Sequence, residues 1–533
     1  LPDWALDARA RDRVAIAVPA LLAALLGTVQ ITSRSLGFDE GATVAIVSQH
    51  GSALGSAIAR DGGNMSGYYL LMHLLVGWWG TGLAVLRLPS VVFTVVTVAL
   101  VAALGLRLFD RRVAMVAGVL CAVNLPLIYW AQTARGYAPM VAFVCAGFLC
   151  YLTLVEQSAP WARRRWAWAG YVVAMVLASY SSFVAVLVVP VQLLGLIGRP
   201  GALRRLVSAL IAVAVCCLPL AVLAVRRGSG QLFWVPRASR KVDGQVLQSL
   251  TSTGLQPSFH PPFTTAAGLV ATVLVLLGLG VAVLRARRAR PGADDTVPAA
   301  PTDPRLTGWP LALTLQWIAV PLVLTFLYSL VAQPIFLPRN LLTCLPAVAL
   351  ALAVALTHPR LPAALALGGL MVALAIRAVP LAAAYGVSPE PWRAATLDVL
   401  RRAQPGDCIA FYPQDARNAF QYYVGSAAGR APRSILPVLP WGAVKPFVER
   451  YVSLTPSQVV ATTAGCRRLW LVSSHEGQRD GPARARANRA GYLRLDARLE
   501  HAFGPGAIRQ YGYASPIHVQ LLSGGGRRRP GRD

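Results

Sequence analysis

Residues 88–106 read LPSVVFTVVTVALVAALGL, a run without a charge that is closed by Arg87 on one side and Arg107 on the other. About 20 apolar residues at 1.5 Å each cross the hydrocarbon core of a bilayer, and a helix is the local structure that satisfies its own backbone there. Runs of this kind recur from Val14 to Leu381 and not beyond. Of the 533 residues, 56% are hydrophobic and 14% charged, which excludes a soluble globular protein and makes a polytopic α-helical membrane protein the expected class.

Spans are expected near Val14–Ile31, Leu88–Leu106, Val113–Tyr129, Tyr137–Val155, Trp166–Tyr180, Phe183–Ile197, Leu206–Val225, Ala266–Leu284, Trp309–Val331, Leu341–Leu356 and Leu361–Leu381, about eleven in all. Tyr68–Trp79 is about twelve residues long and carries His73, so it is expected to lie in the interface rather than cross. That choice sets the side of every later loop. With it, Arg9, Arg11 and Arg13, then Arg107, Arg111 and Arg112, then Arg163 to Arg165, Arg199, Arg204 and Arg205, and Arg285 to Arg290 share one face, as cytoplasmic loops require. An odd number of crossings from a cytoplasmic N-terminus then places the C-terminal part outside the plasma membrane.

The formal charge is +28, from 50 basic and 22 acidic residues, and Lys241 and Lys445 are the lysines among them. Basic loops beside apolar spans point to inner-face charge and membrane lipid, and not to nucleic acid. Residues 1–384 are expected as the membrane module, with a first outer loop at 32–87, and residues 385–533 as a small extracytoplasmic α/β domain. Strands are expected at Asp407–Tyr412, Arg468–Val472 and His518–Leu522, and helices near Asn418–Val424 and Pro482–Asn488. Gly524–Asp533 is a Gly and Arg tail expected to be disordered. Cys408 and Cys466 each precede an apolar strand-like run, and in an oxidising compartment a disulfide between them is expected.

The first outer loop carries Gly37-Phe38-Asp39-Glu40-Gly41 directly after the first span. Two readings stay open: Asp39 caps a helix beginning near Ala42, or the adjacent carboxylates do chemistry at the membrane surface. On the same side lie Arg135 in Gln132-Thr133-Ala134-Arg135-Gly136-Tyr137 and Arg339 in Phe336-Leu337-Pro338-Arg339-Asn340. The loop Arg226–His260 adds Arg237, Arg240 and Lys241, against the positive-inside trend. Guanidinium groups at an outer leaflet suit a lipid-linked phosphate, although any one of them taken alone reads equally as an interfacial anchor.

The order of these features resembles a known group. The carboxylate pair, the interfacial Tyr68-Tyr69-Leu70-Leu71 helix, Leu86-Arg87-Leu88-Pro89-Ser90 and the Ala134-Arg135-Gly136-Tyr137 turn are similar, in that order, to the GT-C superfamily of membrane glycosyltransferases, specifically bacterial relatives of protein O-mannosyltransferases and aminoarabinose transferases. The resemblance covers Phe38 to Val155 best and returns at Pro338-Arg339-Asn340, Pro391-Trp392-Arg393 and Pro405-Gly406-Asp407. Many relatives carry His-Pro-Pro before the paired tyrosines, where this chain has Asn64-Met65-Ser66-Gly67.

The resemblance implies an inverting transfer of a sugar from a polyprenyl-phosphate donor to an extracytoplasmic glycan, glycolipid or protein. Asp39 is then the expected general base with Glu40 beside it, and Arg135, Arg339, Arg237, Arg240 and Lys241 are the expected donor-phosphate ligands. Asn64, Tyr68, Tyr69, Tyr137 and His260 are the expected substrate contacts. The Arg and Ala bias suggests a GC-rich actinomycete genome, for which the resemblance implies mannose or arabinofuranose as the sugar. No nucleotide loop or metal-ligand spacing stands in the sequence; a divalent metal on Asp39, Glu40 and a distant partner stays open. The rival classes are a flippase for a lipid-linked sugar, which calls for midplane charges where the spans hold only Arg377, and a cell-wall-binding scaffold.

Overall fold

The computed structural model describes residues 8–252, 308–357, 387–443 and 450–523, apart from isolated positions, and only scattered positions between them. Its first part is helical. The helices are α1 (Ala8–Thr28), α2 (Phe38–Val47), α3 (Gly51–Arg60), α4 (Ser66–Trp79), α5 (Leu83–Leu108), α6 (Arg111–Ala122), α7 (Leu125–Ala131), α8 (Tyr137–Val155), α9 (Trp161–Ser181), α10 (Val189–Leu194), α11 (Pro200–Cys216), α12 (Leu218–Arg227) and α13 (Arg240–Leu250). They are followed by α14 (Trp309–Val331) and α15 (Leu345–Leu356).

Among the described residues four helices are long and apolar enough to cross a membrane, namely α5, α8, α14 and Pro338–Leu356, and the count is six if each of two bent pairs is one span. The expected spans Val113–Tyr129 and Leu206–Val225 are these bent pairs, broken by 59° and 56° where continuous helices were expected. The causes are local. Asn124 leaves the helix to accept the amide of Leu127, with Pro126 behind it, and Pro219 removes a helical donor just after Cys217. Phe183–Ile197 is likewise not one helix but a 3-10 turn, Phe183–Val188, followed by α10. Ala266–Leu284 and Leu361–Leu381 fall largely outside the described residues.

Packing joins α1 to α5 and α6, α5 to α8, α8 to α9, and α6 to α15. At the centre Phe148 of α8 stacks on Trp317 of α14 with ring centroids 3.6 Å apart. Large apolar side chains such as Leu21, Leu25, Trp78, Trp79, Trp166 and Val331 stay exposed, the surface expected of a protein whose surroundings are lipid.

The C-terminal part is an α/β layer. Strands β1 (Cys408–Tyr412), β2 (Arg433–Leu436), β3 (Leu469–Ser473), β4 (Ile508–Tyr511) and β5 (Ile517–Leu522) form one sheet in the order β2-β1-β3-β5-β4. The first three are parallel, whereas β5 runs antiparallel to β3 and to β4. Both faces of the sheet are covered, and the period of two along β1 shows how. Cys408, Ala410 and Tyr412 join Tyr492, Leu495 and Leu499 of the helix Ala483–Phe503 on one face. Ile409 and Phe411 face Trp392 and Phe420 on the other. These belong to α16 (Trp392–Arg402) and α17 (Ala416–Val424); α18 (Pro456–Thr462) and α19 (Ala483–Phe503) complete the layer. Cys408 and Cys466 are joined by a disulfide.

The second face continues without a break into the helical part, because α17 packs on α2. Gly41 makes this approach feasible: a Cβ there would lie 2.8 Å from the backbone N of Ala419 and 2.9 Å from its Cα. Gly41→Val should therefore push α17 off α2 and cost about 1–3 kcal/mol by overpacking, read as a lower unfolding temperature in detergent, whereas Gly55→Val in α3, where no atom lies within 4 Å, should leave it unchanged.

Candidate active site

The site is built on a buried ion pair. Arg87, at the start of α5, donates from Nε to Glu40 Oε1 at 2.9 Å and from Nη2 to Glu40 Oε2 at 2.8 Å. The same carboxylate accepts the amides of Ala134 at 2.9 Å and Gly37 at 3.1 Å. Arg87 spends its remaining donors on the carbonyls of Ile31, Arg34 and Ser35. Burial alone would raise the Glu40 carboxyl, but the charge and hydrogen bonds of Arg87 outweigh it and hold the group ionised below the usual carboxylate range. Glu40 thus ties together the chain after α1, the N-terminus of α2, the start of α5 and the turn before α8.

That brace decides where Asp39 points. The helix begins at Phe38 behind Gly37, so Asp39 is not the cap of a helix starting near Ala42; the freed Gly37 amide is taken by Glu40 instead. Asp39 lies deep within the fold yet its side chain is 45% accessible, so it lines a cleft rather than the core. Its Oδ2 is 3.4 Å from Arg339 Nη1 and 4.0 Å from Arg135 Nε. Burial would raise its pKa, but Arg135, then Arg339 and His475, more than reverse this and hold it below the ordinary carboxylate value.

Each arginine is held from behind. Arg135 donates from Nη1 to the Tyr69 hydroxyl at 3.2 Å, and its Nε is buried without a hydrogen bond. Arg339, in the 3-10 turn Pro338–Cys344, lies over the ring of Trp234 at 4.4 Å. The Tyr69 hydroxyl in turn donates to Asp61 Oδ2 at 3.1 Å. Asp61 is a second carboxyl of the site, pushed up to about 6 by burial despite Arg135 and the Tyr69 hydrogen bond.

Asp39, Tyr69, Arg135 and Arg339 are therefore brought together from four separate stretches. Other expected residues stand elsewhere. Glu40 is a brace whose oxygens are engaged, so it does not face the cleft, and a metal held jointly by Asp39 and Glu40 does not fit this geometry. Among the described residues no group of three or more His, Cys, Asp or Glu is placed to hold a metal. Asn64 accepts the Phe183 amide at 3.3 Å, Tyr68 is buried, and Tyr137 packs on Trp130 at 4.3 Å. Arg240 opens α13 and is exposed. Arg237, His260 and the Lys241 side chain lie outside the described residues. Asp61, Trp234, Glu390 and His475 were not expected. Only Asp61 had a local sign, the acidic residue before Gly62-Gly63, which both take positive φ.

A family model described as dolichyl-phosphate-mannose-protein mannosyltransferase matches residues 67–226. ArnT from Cupriavidus metallidurans bound to undecaprenyl phosphate superposes with a TM-score of 0.53 at 13% identity, over 96% of this chain and 99% of that one. The archaeal oligosaccharyltransferase AglB from Archaeoglobus fulgidus, in complex with an inhibitory peptide and a dolichol-phosphate, gives 0.54 at 13% identity, over 95% and 74%. No curated protein matches the chain. The fold is that of the GT-C membrane glycosyltransferases. The match over residues 67–226 and the fold shared with ArnT agree with the resemblance read from Phe38–Val155.

Asp61 gives a test of this geometry. Its folded-state pKa near 6 lies above the ordinary 3.8, so the native state keeps a proton that the unfolded chain loses between about pH 4 and 6, and above pH 6 the group destabilises the fold. Asp61→Asn should therefore raise the unfolding temperature above pH 6, with the gain shrinking to nothing near pH 4; a pH-independent difference would contradict the buried setting.

Proposed function

We propose that this protein is an inverting glycosyltransferase that moves a sugar from a polyprenyl-phosphate donor to a hydroxyl acceptor on the outer side of the plasma membrane. The observation that carries the reading is Asp39, a carboxylate in an accessible cleft with two guanidinium groups, Arg135 and Arg339, converging on it. The likeness to ArnT and AglB, whose structures hold undecaprenyl phosphate and dolichol-phosphate, supports a lipid-phosphate donor.

The acceptor oxygen attacks the anomeric carbon, Asp39 takes its proton, and the bond from that carbon to the phosphate oxygen breaks with its electron pair on the phosphate. Arg135 and Arg339 meet the charge of the leaving group. The same arginines hold Asp39 below its ordinary pKa, which makes it a weak base. A donor phosphate draws the guanidinium groups toward itself, since charge-assisted pairing with phosphate is strong, and so frees Asp39 to act as a base only when the donor is in place. Arg240 stays a reserve ligand, as do Arg237 and Lys241.

Mannose or arabinofuranose is the proposed sugar, and the acceptor a glycan, glycolipid or protein. The proposed topology has about eleven spans, an inner N-terminus and an outer C-terminal domain from residue 385. In liposomes offered polyprenyl-phosphate sugars, Asp39→Asn should lower kcat by roughly 10²- to 10⁴-fold. Replacing Arg135 or Arg339 by Met should cost about 10²- to 10³-fold. The product should carry the inverted anomeric configuration; retention would count against a single displacement with Asp39 as base. Movement of lipid-linked sugar between leaflets without turnover would make the flippase reading the better one.

A further inference from the structure

The loop after β3, Ser474 to Gln478, leaves the C-terminal sheet and touches both walls of the cleft. On one side the His475 ring packs on Phe38 with centroids 4.4 Å apart, and its Nε2 lies 3.5 Å from Glu390 Oε1. The other oxygen of Glu390 accepts the Phe38 amide at 2.6 Å. Phe38 is the residue next to Asp39 and the first of α2. On the other side Gln478 Nε2 donates to the carbonyl of Trp234 at 3.0 Å, and Trp234 is the ring beneath Arg339.

The loop is rigid. His475 sits in the left-handed region at φ 54°, an unusual place for a residue with a side chain, and its Nδ1 is 2.8 Å from Ser474 Oγ. Glu476 accepts the Ser473 hydroxyl at 2.6 Å, contacts His518 Nδ1 at 2.7 Å and pairs with Arg489. Gly477 takes φ 101°, and a Cβ there would lie 2.6 Å from the Arg489 amide nitrogen, so helix α19 backs the turn directly. A strained residue, held at Nδ1 by Ser474, within ion-pair distance of Glu390 and packed on the first residue of the helix that bears Asp39, is an arrangement that packing alone does not call for.

From this we infer that His475 and Glu390 form a positioning pair through which the C-terminal layer sets the Phe38 backbone and hence the Asp39 carboxylate, so that the catalytic centre is complete only with this layer docked. The inference rests on the glycosyltransferase reading. It gives the layer a role in catalysis itself, with Asp39 as the catalytic residue and the pair acting through it.

His475→Asn keeps the left-handed backbone, which Asn adopts readily, and removes the ring; Glu390→Gln keeps the shape and removes the charge. With polyprenyl-phosphate mannose and polyprenyl-phosphate arabinofuranose as probes, each variant should lose kcat by tenfold to on the order of a hundredfold, as for a small misplacement of a reacting group, with donor KM within about twofold. The double variant should lose no more than the worse single one, because one device is broken. Hydrogen exchange over residues 37–47 reads the pair without turnover and should rise in both variants. Unchanged kcat in an active protein, multiplying losses, or unchanged exchange at α2 would each overturn the inference. No turnover by the native chain, together with raised exchange in the variants, would instead remove the glycosyltransferase reading and leave the positioning contact standing.

Discussion

One buried ion pair, Glu40 with Arg87, is the constraint on which the rest of this site depends. Its two side chains are 1% and 6% exposed, and ionised groups so placed persist only when every lone pair and proton is matched. Here they are: the carboxylate takes two bonds from the guanidinium and two from backbone amides, and the guanidinium reaches three further carbonyls. Because those partners come from four separate stretches, the pair acts as a fastener for the segment that bears Asp39. The neighbouring residues of one motif therefore do opposite things, Glu40 holding the backbone and Asp39 facing the cleft.

The second constraint is the shared core between the helices and the sheet. Tyr423 accepts the Leu36 amide at 2.6 Å and Ser388 accepts from the Ser35 amide at 2.8 Å, so the layer grips the same short segment that Glu40 fastens from the other side, while Tyr422 donates to the Thr81 carbonyl just before α5 at 2.8 Å. α2 is thus held between two bodies, and small errors in either reach Asp39. Gly41, which lets α17 come within backbone contact, and His475, which reaches over Phe38, are the two ends of that grip.

How much of this was legible follows from what is local. The spans Tyr137–Val155 and Trp309–Val331 agree with the sequence reading to the residue, because each is a long, mostly apolar run without a charge. The bends at Asn124 and Pro219 have local chemistry but were hidden by the apolar residues around them. Strands β1, β3 and β5 stood out as apolar runs; β2 has four residues, and β4, IRQY, is a largely exposed edge without alternation. Helix α19 runs on to Phe503 beyond the expected Asn488 because Tyr492, Leu495, Leu499 and Phe503 continue its buried stripe. In the site, Asp39, Arg135 and Arg339 carried local signals in their loops. Glu390 and His475 carried none, since their meaning lies in a contact with Phe38 across more than three hundred residues that no local pattern encodes.

On the proposed reading, Arg135 and Arg339 are shared between Asp39 and the donor phosphate, so that the carboxylate competes with the ligand for the same charges. Equilibrium binding of polyprenyl phosphate to the detergent-solubilised protein tests this directly, apart from any turnover. Asp39→Asn should bind polyprenyl phosphate several-fold more tightly than the native chain, because removing the carboxylate frees both guanidinium groups. Equal or weaker binding by Asp39→Asn would contradict it and show that the arginines belong to Asp39 alone.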